Sequence, residues 1–355
     1  MGRMACGRRV LLVVWLVWAL PIGGAAQAQA DGGAAGDGDA RLPEGASGVA
    51  SGYAGDAGIE EDERVVFVEA FEADDIDAVH ARWEDVANGA RMSLSDDVPA
   101  AGSDDDAGED AGGGRSLLMT HTGGGPNTVG LYRRLPAGHD VLFARFYVKF
   151  DNDCAPIHHM GTHLGGFNPS TAWPQGGAGE RPDGARRFTT GLEPYGDDWA
   201  WGFYSYWHAM RRHGDGNYWG TPFLVGVDRP EVRRGAWICV EMMVKLNALG
   251  ERDGEQAFWI DGELWRADGQ VVSHHGPGFP RGGWTGGWWA PDVDSQSTFE
   301  GFSWRTDEDL SINYLWTYLF ITRAEPGQVS RVWFDQIVVA TQYIGPMGDG
   351  AGGGD

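Results

Sequence analysis

The sequence predicts an all-β fold in which two antiparallel sheets pack as a sandwich. Several runs alternate between apolar and polar residues, which is the pattern of a half-buried strand. The 57 Gly and 17 Trp residues favour tight turns and aromatic sheet faces, and amphipathic helix patterns are scarce. Spaced strands with turn signals in a domain of this size are typical of a two-sheet sandwich.

The N-terminus predicts a signal peptide over residues 1–30. Three arginines precede an apolar run at residues 10–20, and Ala-Gln-Ala at residues 28–30 fits a cleavage site. The alternative is a membrane anchor, but the run is too short to cross a bilayer as a helix. We therefore expect a secreted protein, extracellular or periplasmic.

Acidic, glycine-rich segments flank and interrupt the predicted domain. Residues 31–63 predict a disordered linker, residues 95–114 a solvated loop, and residues 348–355 a flexible tail, around one domain over residues 64–347. The formal charge of −24 argues against nucleic acid and anionic membrane surfaces as partners. We expect a monomer.

Alternating runs predict the strands of the domain, and their polar faces carry cations. Arg145, Tyr147 and Lys149 share the polar face of one strand, and Lys245 lies on that of another. Such cations can neutralise a uronic acid or a sulfate, or they can be solvated edge charges. The strands are predicted at residues 142–150, 237–247, 256–261, 312–322 and 331–340.

The run at residues 195–208 (YGDDWAWGFYSYWH) is the most informative. An extended chain there places Tyr204, Tyr206 and His208 on one face, opposite an aromatic face of Trp199, Trp201, Phe203 and Trp207. Hydroxyl and imidazole groups over a rigid aromatic support suit the wall of a sugar-binding cleft. The alternative is an ordinary strand with surface tyrosines.

Histidines cluster at residues 157–163 (IHHMGTH). An extended chain places His159 and His163 on one face and His158 on the other. Three histidines at this spacing can bind a transition metal or transfer protons. One or two of them can equally be structural.

Two further segments leave alternatives open. The tryptophans of residues 284–304, among them Trp289, can stack on pyranose rings or cap the sandwich. Cys154 and Cys239 can form a disulfide or remain two buried thiols.

The chain resembles the concanavalin A-like jelly-roll family of secreted polysaccharide lyases and related cellulose-induced proteins. Three segments carry the resemblance: FEADDI, WICVEMMVKLNALGERDGEQAFWIDG and VWFDQIVVATQYIGP. The resemblance implies a jelly-roll sandwich, with a structural Ca²⁺ held by Glu72 and Asp335, which the pairing of terminal strands would bring together. Ile157-His158 is similar to the family's Gln-Ile-His element, with Pro156 in place of Gln.

The resemblance and the residues together predict a lyase that cleaves an anionic, uronate-containing polysaccharide by β-elimination. Tyr204 or Tyr206 is expected as acid and base, with a pKa depressed by a neighbouring Arg or His⁺. His159 or His163 is expected as partner base or neutraliser. The predicted substrate-binding residues are Arg145, Tyr147, Lys149, His158, His208, Lys245 and Trp289.

Two other functions use the same features. A non-catalytic glycan-binding protein needs only aromatic faces, whereas a lyase needs Tyr, His and a cation that converge on one point. A jelly-roll glycoside hydrolase needs two carboxylates close together, and the sequence contains no E-x-D-x-E strand.

Overall fold

Strands make up most of the computed structural model, which describes residues 41–100, 114–172, 177–195, 199–210, 212–224, 229–279 and 299–348. The strands in chain order are β1 Val65–Glu69, β2 Asp85–Ala87, β3 Met92–Ser95, β4 Ser116–Thr122, β5 Thr128–His139, β6 Val141–Phe150, β7 His159–Phe167, β8 Arg187–Tyr195, β9 Ala200–Tyr206, β10 Thr221–Pro222, β11 Trp237–Lys245, β12 Glu255–Ile260, β13 Glu263–Leu264, β14 Arg266–Ala267, β15 Gln270–Val271, β16 His274–His275, β17 Ile312–Phe320 and β18 Val329–Ala340.

The strands form two large antiparallel sheets. The nine-stranded sheet has the order β13-β12-β11-β6-β18-β4-β3, with β1 paired to β18 and β16 paired to β12. The seven-stranded sheet has the order β10-β9-β8-β7-β17-β5-β2, and β14 and β15 form a separate small hairpin. Some neighbours are consecutive in the chain, such as β7, β8 and β9, whereas others, such as β6 and β11, are far apart, so long-range pairing contributes to the fold.

The core lies between the two sheets. Phe146 and Val240 point inward from the nine-stranded sheet and belong to the same buried cluster as Leu164, Leu192 and Leu315 of the seven-stranded sheet. The alternation that predicted the strands therefore also separates inward from outward side chains. This architecture confirms the predicted two-sheet jelly-roll sandwich.

Helices are short in the described residues. The α-helix α1 spans Ile76–His80, and the Asp75 side chain caps it by accepting a hydrogen bond from the Ala78 backbone N–H (2.9 Å). The 3₁₀ turns are Val49–Gly52, Ile59–Glu61 and Gly89–Arg91. Among these residues no helix is long and apolar enough to cross a membrane.

Residues 43–62 are ordered, although they lie in the predicted disordered linker. The backbone N–H of Val49 donates to the Tyr343 carbonyl (3.0 Å), and the Trp259 indole donates to the Pro43 carbonyl (2.8 Å). Ile59 is fully buried. The linker prediction is wrong here because composition measures only what a segment can bury by itself, and this one packs on a surface that the domain provides.

The two cysteines do not form a disulfide. Both Cys154 and Cys239 are free and buried. Cys154 belongs to the core between the sheets, whereas Cys239 packs with Tyr147 and Met347 in a separate small cluster. Burial raises the pKa of each thiol to about 12, which makes both unreactive at neutral pH.

Candidate functional site

A row of side chains crosses the outward face of the seven-stranded sheet, here called the site face. Tyr204 on β9 lies opposite Gly191 on β8, Gly191 opposite His163 on β7, and His163 opposite Trp316 on β17. Residues directly opposed in an antiparallel sheet share a face. The register therefore brings a phenol, an imidazole and an indole from three separated strands to one surface.

Glycines let these rings lie close to the sheet. A Cβ atom on Gly191 would lie 1.9 Å from His163 Cδ2, and one on Gly220 would lie 2.4 Å from the Tyr204 ring. Neither distance leaves room for a side chain. Glycine at both positions therefore allows the His163 and Tyr204 rings to pack against the backbone.

Glu193 on β8 holds the two site-face histidines of β7. The Nδ1 atom of His159 lies 3.0 and 3.2 Å from the two carboxylate oxygens of Glu193, and His163 Nε2 lies 3.8 Å from Oε2. Glu193 is fully buried. Burial alone would raise the pKa of Glu193, but the adjacent His159 and His163 lower it by more than burial raises it. The net pKa is therefore lowered, and the carboxylate is ionised.

The two histidines differ in the direction of their pKa shifts. Burial lowers the pKa of His159, but the Glu193 charge and hydrogen bond outweigh burial and raise it overall. For His163, burial dominates and lowers the pKa. His163 also lies 3.4 Å from the Tyr318 hydroxyl and 3.5 Å from the Thr189 hydroxyl. The pair with Glu193 therefore favours an imidazolium at His159 and a neutral ring at His163.

The two tyrosines lie beside this charged pair. The Tyr204 ring centroid is 4.6 Å from that of His159, and the Tyr204 and Tyr206 hydroxyls are 3.4 Å apart. The expected depressed pKa is wrong: burial raises the pKa of both phenols, and the neighbouring hydroxyl raises that of Tyr204 further. Both tyrosines are therefore neutral proton donors in the resting site.

Of the other predicted site residues, His158 also lies at this cluster. Its exposed ring stacks on His159 (centroids 4.4 Å apart), and its Nδ1 lies 3.1 Å from the Thr322 hydroxyl. Burial of part of the ring and the charge of His159 lower its pKa. His208 lies past the end of β9 with its ring against Gly184. Trp289 lies outside the described residues.

Four predicted substrate-binding residues do not reach the site face. Arg145, Tyr147 and Lys149 on β6 and Lys245 on β11 belong to the nine-stranded sheet and point away from the core on its outer side. Each has a partner there, so their assignment to the site is wrong. Arg145 pairs with Asp56, the Tyr147 hydroxyl accepts from Met347 N–H (2.9 Å), Lys149 pairs with Asp97 (2.6 Å), and Lys245 pairs with Glu255 (2.5 Å).

The proposed calcium ligands only partly fit a metal. Asp335 is buried on β18, and burial together with the charge of Glu72 raises its pKa to about 8, so a cation would stabilise its carboxylate. Glu72 is exposed and accepts the Arg115 backbone N–H (2.9 Å). Two carboxylates alone supply too few oxygen ligands for Ca²⁺. The described residues contain no group of three or more His, Cys, Asp or Glu that could hold a metal. Calcium stays a prediction.

Sequence reasoning missed Glu193 and Tyr318. The run at residues 187–195 (RFTTGLEPY) alternates Thr189, Gly191 and Glu193 against Phe188 and Leu192. That alternation would have indicated a strand with Glu193 on one face. Tyr318 lies within a correctly predicted strand, where its alternation with Trp316 was the available signal.

Comparisons with known proteins give likenesses of structure. No protein-family model matches the chain, and no curated protein is significantly similar in sequence. The marine PL-14 alginate lyase from Aplysia kurodai is 14% identical, with a TM-score of 0.49 over 78% of this chain and 99% of that chain. An alginate lyase from a Chlorella virus is 11% identical (TM-score 0.46; 79% and 100% covered), and the endo-β-1,4-glucuronan lyase from Trichoderma reesei is 13% identical (TM-score 0.37; 78% and 96% covered).

Proposed function

We propose that the protein is a secreted polysaccharide lyase that cleaves a uronate-containing polymer by β-elimination. One observation carries the proposal: the imidazole of His159, whose pKa is raised by the buried Glu193, lies against the neutral phenol of Tyr204. A cationic group and a proton donor thus meet at a partly exposed point. Alginate and glucuronan, which the structurally similar proteins cleave according to their names, are the first polymers to test.

The charges assign a role to His159. β-Elimination removes the proton α to the uronate carboxylate, and negative charge then develops on that carboxylate as an enolate. An imidazolium at His159 would pair with the carboxylate and stabilise this charge. Glu193 would hold the ring in place and keep it protonated without touching substrate.

The proton movements follow from the remaining pKa shifts. The base must be unprotonated at neutral pH, which excludes the phenols and leaves His158 as the exposed imidazole with a lowered pKa. In our proposal His158 takes the α proton, and the released electron pair forms a C=C bond. The bond between the β carbon and the glycosidic oxygen breaks, and Tyr204 donates its proton to that oxygen. The reaction needs no water and leaves one unsaturated chain end.

The experiment measures ultraviolet absorbance while the protein is incubated with alginate, glucuronan, pectin and glycosaminoglycans. At least one polymer should give rising absorbance from the new C=C bond. Tyr204→Phe should lower that rate by about 10²- to 10⁴-fold, the usual contribution of one acid or base. Tyr147→Phe is the matched control because its phenol lies on the other sheet, and it should keep the full rate.

Two results would contradict the proposal. A flat absorbance trace on every polymer, together with measurable binding, would favour a non-catalytic glycan-binding protein. Equal rates for Tyr204→Phe and Tyr147→Phe would place the chemistry elsewhere. A hydrolase is disfavoured because Glu193, the carboxylate in contact with this cluster, is buried and already held by His159.

A further inference from the structure

An exposed tryptophan lies one residue from a backbone contact with the proposed site. Trp219 is 40% exposed, and only it and Leu249 are exposed large apolar residues in the described part of the chain. Its indole N–H donates to Asp215 Oδ2 (2.8 Å), while Asp215 Oδ1 accepts from the Asn217 backbone N–H (2.9 Å). The indole is therefore held in one orientation with part of its apolar ring in water.

Gly220, the residue after Trp219, links this chain segment to Tyr204. The backbone N–H of Gly220 donates to the Tyr204 hydroxyl (3.0 Å), and Gly220 packs so closely that no Cβ would fit. Trp219 is thus one residue from the contact with the proposed acid. The chain segment that carries Trp219 therefore borders Tyr204.

A second loop places a cation next to the segment that carries Trp219. The Tyr218 backbone N–H donates to the Gly179 carbonyl (3.0 Å), which joins the segments that carry Trp219 and Arg181. The Arg181 guanidinium lies over the Tyr218 ring, 5.5 Å from its centroid, and is exposed. An exposed apolar ring and a cation on adjoining segments match a pyranose that carries a carboxylate.

We propose that Trp219 is a substrate-binding residue that stacks on a uronate ring in a subsite next to Tyr204, with Arg181 facing the carboxylate. This inference rests on the proposed function for the identity of the sugar. The stacking contact forms equally with ground state and transition state, so it should set KM and leave kcat unchanged.

The test measures the affinity of alginate and glucuronan tetrasaccharides by calorimetry in the Tyr204→Phe background, where the sugar is not consumed. Adding Trp219→Ala should weaken binding about tenfold, the scale of one aromatic stacking contact. Trp219→Phe should recover most of the affinity because it keeps an aromatic face. Leu249→Ala is the matched control, an exposed apolar residue elsewhere, and should bind as tightly as its parent.

The outcomes separate this inference from the lyase function. Equal affinities for Trp219→Ala and Leu249→Ala, or a parent that binds neither tetrasaccharide, would overturn the stacking contact. Weaker binding by Trp219→Ala in a protein that forms no unsaturated product on any polymer would support the stacking contact and refute the lyase. In an active protein, a Trp219→Ala change in kcat at constant KM would also contradict the inference.

Discussion

A buried carboxylate controls the charge of the proposed site. Glu193 is withdrawn from water and its nearest titratable neighbours are His159 and His163. Because a buried anion is costly without a positive partner, the raised pKa of His159 favours a compensating proton on that ring. The charge that would bind a uronate carboxylate thus depends on a residue that the substrate does not touch.

Glu193→Gln should therefore change the pH profile as well as the rate. Activity should fall at alkaline pH, above the ordinary pKa of histidine, because His159, whose pKa is raised, loses its proton there. It should fall at acidic pH, below that value, as His158 with its lowered pKa gains one. Without the Glu193 charge, the alkaline limb should move to lower pH, and the acidic limb should move less. The measurement is kcat/KM for the polymer against pH.

The matched control is Glu255→Gln on the nine-stranded sheet. Glu255 also bonds a histidine, with its Oε2 atom 2.6 Å from His274 Nε2, but it lies away from the site face. Its pH profile should match that of the parent. An unchanged alkaline limb in Glu193→Gln would show that His159 does not carry the essential proton.

At the scale of strands, period-two alternation predicted the elements but not their assembly. The run at residues 142–150 became β6 with its predicted inward face, and β1 pairs with β18 as expected of terminal strands. Alternation states which residues share a face but not which of two sheets a strand joins. For this reason Arg145 and Lys245, correctly placed on outward faces, were assigned to the wrong surface.

The site was partly predictable for the same physical reason. Tyr204 and His159 lie on one face because β9, β8 and β7 are neighbours in one sheet, and local alternation does not specify the register in which they pair. Glu193 was missed because β8 contains Gly191 and Pro194 and few large apolar residues, so its local strand signal is weak. Local pattern can identify the reactive side chains, but only the register shows which of them meet.

The segment over residues 43–62 gives a second prediction at this scale. Asp56 from this segment pairs with Arg145 of β6, and both side chains are almost fully buried. Removing one partner of a buried ion pair leaves an uncompensated charge. Asp56→Asn keeps the shape of the side chain, including its tolerance of the positive φ at this position. It should lower the free energy of unfolding by about 3 kcal/mol, measured by chemical denaturation.

Glu300→Gln is the control for that measurement. Glu300 pairs with Arg252 (2.7 Å), and both side chains are more than half exposed. Exposed ion pairs contribute little, so this variant should change the free energy of unfolding by less than about 1 kcal/mol. Equal effects of the two substitutions would mean that the buried pair of Asp56 and Arg145 contributes no more to stability than an exposed pair.

For the whole molecule, the net charge opposes the proposed substrate. The formal charge is −24. At long range the net charge therefore repels a polyuronate, whatever the positions of individual side chains. The contact with His159 acts only at short range, in a partly buried place that salt screens weakly. Long-range repulsion and short-range attraction therefore respond differently to ionic strength.

This difference predicts an unusual salt dependence. Raising ionic strength from about 10 mM to about 150 mM shortens the Debye length from about 30 Å to about 8 Å. The value of kcat/KM for a polyuronate should then rise, because screening removes the repulsion before it weakens the contact at His159. A methyl-esterified polymer of the same backbone and length, which carries little charge, should show almost no change. A steady fall of kcat/KM with salt for the polyuronate would mean that cations near the site, and not the net charge, govern the approach of the substrate.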